Sequence, residues 1–381
     1  MSEELSFNEI QAQLMMEYYM AFSKYARGRK PEKKVAWVTS FTPIEIIEAL
    51  DVSYYYPESY AAVVAASGKE QKMLEQSAAN ELSLDCCGYS CCIEGCLELK
   101  KGPRGIPPLP DILIATNNQC NTLPNWWNIL AERYHVPLIV LDYPGERGNR
   151  EAAMAYVKAQ HEELIHQLEK MTGNTIELAY VNELMDNSAR SIAAWNRIVK
   201  AMHTREISPT DMFDGIVFLI LSRCKELTPK LYEFMAQDME EKPLADMSMT
   251  KAFWLGYPLW YHPKRYLEEL MEDIHIVGSN YITWWNLDYS GDDVFERLFN
   301  AYNYTFLNLS QETRNSRLQQ VVRDSGAQFA VTVQNKSCKC DYVSARRLEI
   351  PQAEISADMI DRTFLDMEDA KRKIELVRSI L

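Results

Sequence analysis

The sequence is short of positive charge, histidine and glycine, and it has no long hydrophobic run. Forty lysines and arginines stand against 54 aspartates and glutamates, a formal net charge of −14. That balance argues against the basic footprint by which proteins hold nucleic acid, and against a basic patch for a membrane surface. No apolar run approaches the roughly 20 residues needed to cross a bilayer. The first eight residues are acidic and polar, unlike a signal peptide, so the expected setting is cytoplasmic. There are six histidines, and none lies near the densest cysteine stretch, so a catalytic thiol has no obvious base to activate it. No glycine-rich loop of the phosphate-binding kind is present.

What is present is cysteine. Five of the nine cysteines fall within eleven consecutive positions, Cys86, Cys87, Cys91, Cys92 and Cys96. Cys120 follows in Asn117-Asn118-Gln119-Cys120-Asn121, and Cys338 with Cys340 in Asn335-Lys336-Ser337-Cys338-Lys339-Cys340. An odd count with adjacent pairs makes a poor disulfide framework, particularly in a reducing compartment. Cys224 reads as a buried free thiol. The others read as segments converging on an iron–sulfur cluster. Three widely spaced thiolates on a 4Fe–4S cluster would leave one iron open to a ligand, as catalytic zinc sites keep one position free. Zinc is the competing metal. The spacings from Cys87 to Cys91 and from Cys92 to Cys96 fit a zinc ribbon loosely, but the distant partners at 338 and 340 do not.

The 381 residues are 47% hydrophobic and 25% charged, ordinary for a soluble globular protein and enough for two lobes with real cores. Residues 7–25 carry apolar side chains at helical spacing, and a linker with Pro31 follows. Short apolar runs at 35–40, 52–56, 111–116 and 137–142 alternate with helical patterns, which predicts a parallel α/β lobe. The stretch 151–221 reads as almost wholly helical, with Gly173 as punctuation. Strands are then expected at 252–259, 274–281, 329–334 and 353–359, with a closing helix over 364–381. The expected fold class is α/β, with two Rossmann-like parallel-sheet lobes joined by a helical segment. The expected division is 1–34, 35–150, 151–250 and 251–381. Ser40, Glu58, Cys120 and Cys338 all fall at or just after predicted strand ends, where open α/β sheets bind ligands. A cluster is therefore expected in the cleft between the lobes.

These residues carry a resemblance. Trp37-Val38-Thr39-Ser40-Phe41-Thr42-Pro43, Tyr56-Pro57-Glu58 with Ala61-Ala62, and Ser83-Leu84-Asp85-Cys86-Cys87-Gly88-Tyr89 are similar to the 2-hydroxyacyl-CoA dehydratase and benzoyl-CoA reductase family. So are Asn117-Asn118-Gln119-Cys120-Asn121, Val136-Pro137-Leu138, Tyr156-Val157-Lys158-Ala159-Gln160 and Asn335-Lys336-Ser337-Cys338-Lys339. Of the family's two subunit types, the chain resembles the larger, substrate-binding one. The resemblance implies that Cys87, Cys120 and Cys338 ligate a 4Fe–4S cluster whose open iron meets an acyl-CoA. It implies that Ser40 hydrogen-bonds the substrate or cluster ligand, and that Glu58 assists proton movement or loss of hydroxide. It further implies a lyase, or a related ATP-dependent reductase. The implied partners are a related second subunit (a homodimer being the alternative) and an ATP-hydrolysing iron–sulfur activator.

The chain departs from the family pattern beside the proposed ligands. Cys91 stands where an arginine is common, Cys92, Cys96 and Cys340 are additional, and Asp361-Arg362-Thr363 replaces Asp-Pro-Arg. The segment between Cys340 and Ile355 is short for the family. The additional thiols raise a second or double-cubane cluster as an alternative, serving a reductase of another small molecule. A fully ligated, non-catalytic electron-transfer subunit is a third reading. Lys100, Lys101, Arg104, Arg346 and Arg347 are the cations near the cysteines that could meet CoA phosphates. Trp284 and Trp285, with Tyr281, could line a pocket or a core.

Overall fold

A computed structural model describes residues 5–26, 33–338 and 348–381. Two four-stranded sheets organise it. The first holds β1 (Val35–Val38), β2 (Ser53–Tyr55), β3 (Ile112–Thr116) and β4 (Leu138–Leu141), in the order β2-β1-β3-β4. The second holds β5 (Thr250–Leu255), β6 (Ile274–Ser279), β7 (Phe329–Asn335) and β8 (Gln352–Ala357), in the order β6-β5-β7-β8. All pairings are parallel. Every residue of β1 and β3 is buried, as expected of parallel strands covered on both faces. The two sheets share one strand order, so the second half of the chain repeats the architecture of the first. These are the two Rossmann-like lobes read from the sequence.

The order has a functional consequence. In each sheet the chain leaves the first strand to one side and returns on the other, and ligands bind at such a switch point, outside the carboxyl ends of the strands. In the first lobe that crevice lies after β1 and β3, where Ser40 and Cys120 follow. In the second it lies after β5 and β7, where Tyr257 and Cys338 follow.

The helices of the first lobe are α1 (Phe7–Ala26), α2 (Ile44–Ala49), α3 (Pro57–Ala66), α4 (Glu70–Ala79), α5 (Gly88–Leu99) and α6 (Thr122–Tyr134). The joining segment opens with α7 (Arg150–Thr172) and α8 (Leu178–Met202) and continues through shorter helices to Glu241. Asn149 caps α7 by accepting from the backbone N–H groups of Glu151 and Ala152, and Gly173 ends it in the left-handed conformation.

Three local expectations differ from the structure. Pro57 and Glu58 do not merely close the second strand; Pro57 is the first residue of α3, where its missing N–H costs nothing. The strand expected over 252–259 ends at Leu255, before Gly256. The dense cysteine stretch is a helix. Its spacings of four residues, which loosely suggested zinc-ribbon pairs, are turns of α5.

A buried charged network ties the joining segment to both lobes. Glu45 and Arg223 are 0% and 1% exposed. Arg223 donates to the Thr42 carbonyl at 3.0 Å and to the Tyr302 hydroxyl at 2.6 Å. Tyr289 and Ser188 donate to Glu45 Oε1, and Tyr302 donates to Oε2. Nearer the strand ends, Asn118 Nδ2 donates to the Tyr302 carbonyl at 2.9 Å, and Thr305 Oγ1 donates to the Asn118 carbonyl at 3.0 Å.

Candidate active site at the strand ends

Glu58 is the polar centre of the site. It lies in the first turn of α3 and is only 4% exposed. Ser40, just beyond β1, donates its backbone N–H and its Oγ–H to Glu58 Oε2 at 3.0 and 3.1 Å. Gln119, at the end of β3, donates Nε2–H to Oε1 at 2.9 Å. Three donors therefore fix both carboxylate oxygens. Burial disfavours the charged form and these hydrogen bonds favour it. Burial wins, and the carboxyl is raised to about 6. A solvated strand-end carboxylate would not show this.

The three predicted thiols come together beside it. Cys87 is the N-cap of α5. Burial, then the charges of Cys338 and Cys120, push its thiol well above the usual range, and Glu58 adds to the shift. Cys120 is pushed up to about 11 by burial, then by Cys338, with Glu58 again contributing. Cys338 follows β7 and its N–H donates to Asn335 Oδ1 at 3.3 Å. Asp358 organises this loop. It is 1% exposed and accepts from the backbone N–H groups of Ser337, Ile360 and Asp361, each at 2.9 Å.

Gly88 lets the two lobes meet here. A Cβ on it would lie 2.9 Å from Ser337 Oγ, 3.0 Å from Asp358 Oδ1 and 3.3 Å from Ile360 Cβ. Only a residue without a side chain allows the start of α5, and with it Cys87, so close to the Cys338 loop.

The donor set bears on what the thiols would hold. Among the described residues no three His, Cys, Asp or Glu side chains close tightly enough around one point to hold a single metal ion. The thiolates of a 4Fe–4S cluster each bind a different iron, so they stand further apart than the ligands of one zinc. Three half-buried cysteines drawn from three loops and near enough to influence one another, with burial pushing Cys87 and Cys120 up, would suit a multi-iron cluster.

The additional cysteines separate into groups. Cys92 and Cys96 are 0% exposed, one turn apart on α5 and hydrogen-bonded to each other, within the core. Cys91 lies under the preceding loop, donating Sγ–H to the Ser83 carbonyl at 3.5 Å, and its thiol is pushed up to about 12 by burial and by Cys86. Cys224 is buried, as read. Cys340, Arg346 and Arg347 lie outside the described residues.

A pocket of about 150 Å³ adjoins the Glu58 carboxyl. Ser40, Glu58, Gln119 and Tyr89 line one part, and aromatic residues line much of the rest. Tyr89 accepts at its hydroxyl from Trp260 Nε1 at 2.8 Å, which joins α5 to the second lobe. A second pocket, of about 550 Å³, lies past the end of α3 and is lined by Lys69, Lys72, Lys100 and Lys101. Arg104 instead sits 5.5 Å over the Tyr19 ring. Gln119 and Asn335 stand in the quoted motifs but have no role assigned from the sequence, and Asp358 has no signal there, although Gln119 is the immediate neighbour of a predicted ligand. No helix among the described residues is long and apolar enough to cross a membrane.

Residues 39–379 match the family model described as 2-hydroxyglutaryl-CoA dehydratase, D-component. The chain is 26% identical over 362 residues to the lactoyl-CoA dehydratase subunit alpha of Anaerotignum propionicum, covering 86% of each. It is 27% identical over 348 residues to the (R)-phenyllactyl-CoA dehydratase alpha subunit of Clostridium sporogenes, covering 86% of this chain and 85% of that one. It is 26% identical over 382 residues to the (R)-2-hydroxyisocaproyl-CoA dehydratase alpha subunit of Clostridioides difficile, covering 95% and 92%. The chain belongs to the 2-hydroxyglutaryl-CoA dehydratase D-component family and is an enzyme subunit of the 2-hydroxyacyl-CoA dehydratase type.

Proposed function

We propose that this chain binds a 2-hydroxyacyl-CoA at the strand ends and takes part in removing water from it, with Cys87, Cys120 and Cys338 holding a 4Fe–4S cluster. The observation that carries the reading is the meeting of three half-buried cysteines, Cys87, Cys120 and Cys338, with a buried, hydrogen-bonded carboxyl at the crevice of two parallel sheets. When bound, such a cluster supplies a Lewis-acidic iron and a path for single electrons.

The chain's own residues then have definite work. Ser40 and Gln119 hold Glu58 in one orientation, so its free lone pairs face a fixed direction. A carboxyl near pH 6 can both take and return a proton close to neutrality, which suits loss of a hydroxyl group as water. The apolar walls around it exclude bulk water and sharpen its hydrogen bonds. The lysine-lined pocket is the candidate for the CoA phosphates. Ala66 of α3 lines the apolar pocket and Gly68, two residues on, lines the lysine pocket, so one ligand of CoA length could reach both. Its relatives are named as alpha subunits, which supports a second subunit. An ATP-dependent activator supplying the electron agrees with the missing phosphate loop.

Glu58→Gln tests the assignment. It should keep the iron and the acyl-CoA affinity while turnover, with partner and reductant supplied, falls by about 100-fold or more. Turnover within a few-fold of wild type would remove Glu58 from the reaction.

A further inference from the structure

The pocket beside Glu58 carries information about the acyl group. Its walls include Trp260, Trp284, Trp285, Tyr257, Tyr281 and Phe41. These rings brace one another. Phe41 stacks on Trp285 with centroids 4.6 Å apart, and Trp284 meets Tyr257 and Tyr281 edge-on at 5.2 Å each. Such a wall is rigid, so its shape selects.

Charge and size narrow the occupant. The charged residues lining the pocket among those described are Glu58 and the exposed Asp214, and both are acidic. An acyl group ending in a carboxylate would bring a further negative charge to a site with no cation among its described lining residues. The volume is about 150 Å³, and a dry cavity of about that size takes one benzene ring. A methyl group would leave most of it empty. Gln119 Oε1 and the indole N–H groups of Trp284 and Trp285 are buried without partners among the described residues. A 2-hydroxy thioester brings one donor and several acceptors, which such groups lack; a plain hydrocarbon brings neither.

We propose that this pocket receives the acyl side chain and selects an uncharged aromatic one, with Trp260, Trp284 and Trp285 as the residues that set the preference. The preferred substrate class is then an aryl-bearing 2-hydroxyacyl thioester. The inference rests on the reading of the strand-end site as a 2-hydroxyacyl-CoA site.

The test is calorimetric titration of the anaerobically purified full chain, with any subunit that accompanies it. The three probes are phenyllactyl-CoA, lactoyl-CoA and 2-hydroxyglutaryl-CoA. A single methylene in an apolar pocket is worth about 10- to 200-fold in discrimination, so the phenyl compound should bind at least about tenfold more tightly than the lactoyl compound. The glutaryl compound should bind most weakly. Ala62→Phe, on the α3 wall, should fill the ring's place and shrink the phenyl-to-lactoyl ratio to about threefold or less. Should that variant not fold, Ala66→Phe at the exposed end of the same wall serves. Equal or reversed affinities, or a ratio unchanged by the filling variant, would overturn the inference and leave the acyl-CoA reading standing. Failure of all three to bind folded, iron-containing protein would overturn both.

Discussion

Replacing Gly88 by alanine should cost the protein iron more than it costs stability. An added Cβ would meet Ser337 Oγ at 2.9 Å, Asp358 Oδ1 at 3.0 Å and Ile360 Cβ at 3.3 Å. Comfortable contacts begin near 3.5 Å, so roughly 0.5 Å must be found. Asp358 cannot yield it cheaply, because its carboxylate accepts three backbone N–H groups. The start of α5 must therefore retreat. Overpacking of this kind costs about 1–3 kcal/mol. Alanine is the better helix former by at most about 1 kcal/mol, so a net loss of roughly 0–3 kcal/mol is expected. Cys87 is the adjoining residue and would move away from the Cys338 loop with it. Thermal unfolding should show a modest fall in Tm, and iron analysis of anaerobically prepared protein should show a loss of half or more. Adding Ser337→Ala, which removes the nearest clash, should restore part of the iron. A Gly88→Ala protein with full iron and a raised Tm would refute the claim that this contact sets the spacing of the thiols.

Two further outcomes follow from buried charge. Arg223→Met should lower stability toward denaturant by about 3–5 kcal/mol, because Glu45 is left buried without its cation; Glu45→Gln in the same chain should recover part of the loss, and additive losses would contradict the pairing. His161 is 0% exposed, bonds the Tyr143 hydroxyl at 2.8 Å, and is lowered by burial to about 3. The folded state keeps it neutral while the unfolded chain takes up a proton below about 6.5, so stability falls as the pH drops from about 6.5 toward 3. Its share of that loss is about 2 kcal/mol between pH 7 and pH 5. Denaturation of wild type and His161→Gln at both pH values should show the difference, and parallel losses would contradict it.

Much of the architecture is legible in the chain because buried parallel strands read as short, nearly continuous apolar runs. Each run of the first lobe matched a strand to within a few residues, and the repeat in the second half followed. The thiols are visible as a chemical set, and the strand-end rule places Ser40, Glu58, Cys120 and Cys338 at the carboxyl ends of strands. Other features depend on packing that no local pattern records. The burial of Glu58 under Ser40 and Gln119 has no local signature, because only the tertiary fold creates it. The cysteines at 91, 92 and 96 mask a helix, because a four-residue spacing of metal ligands coincides with the helical period. Asp358 had no signature, since its role is to collect N–H groups from a loop that exists only when β7 and β8 pair. Trp284 and Trp285 suited a pocket and a core alike, and they serve both.

The most direct measurement is iron and acid-labile sulfide per chain in anaerobically purified protein, for the wild type and for single Cys→Ser changes at 87, 120, 338 and 92. The account predicts about four irons in the wild type, loss of most of them on changing Cys87, Cys120 or Cys338, and retention on changing the core residue Cys92. An iron-free wild type, or iron that survives the loss of all three strand-end thiols together, would contradict it.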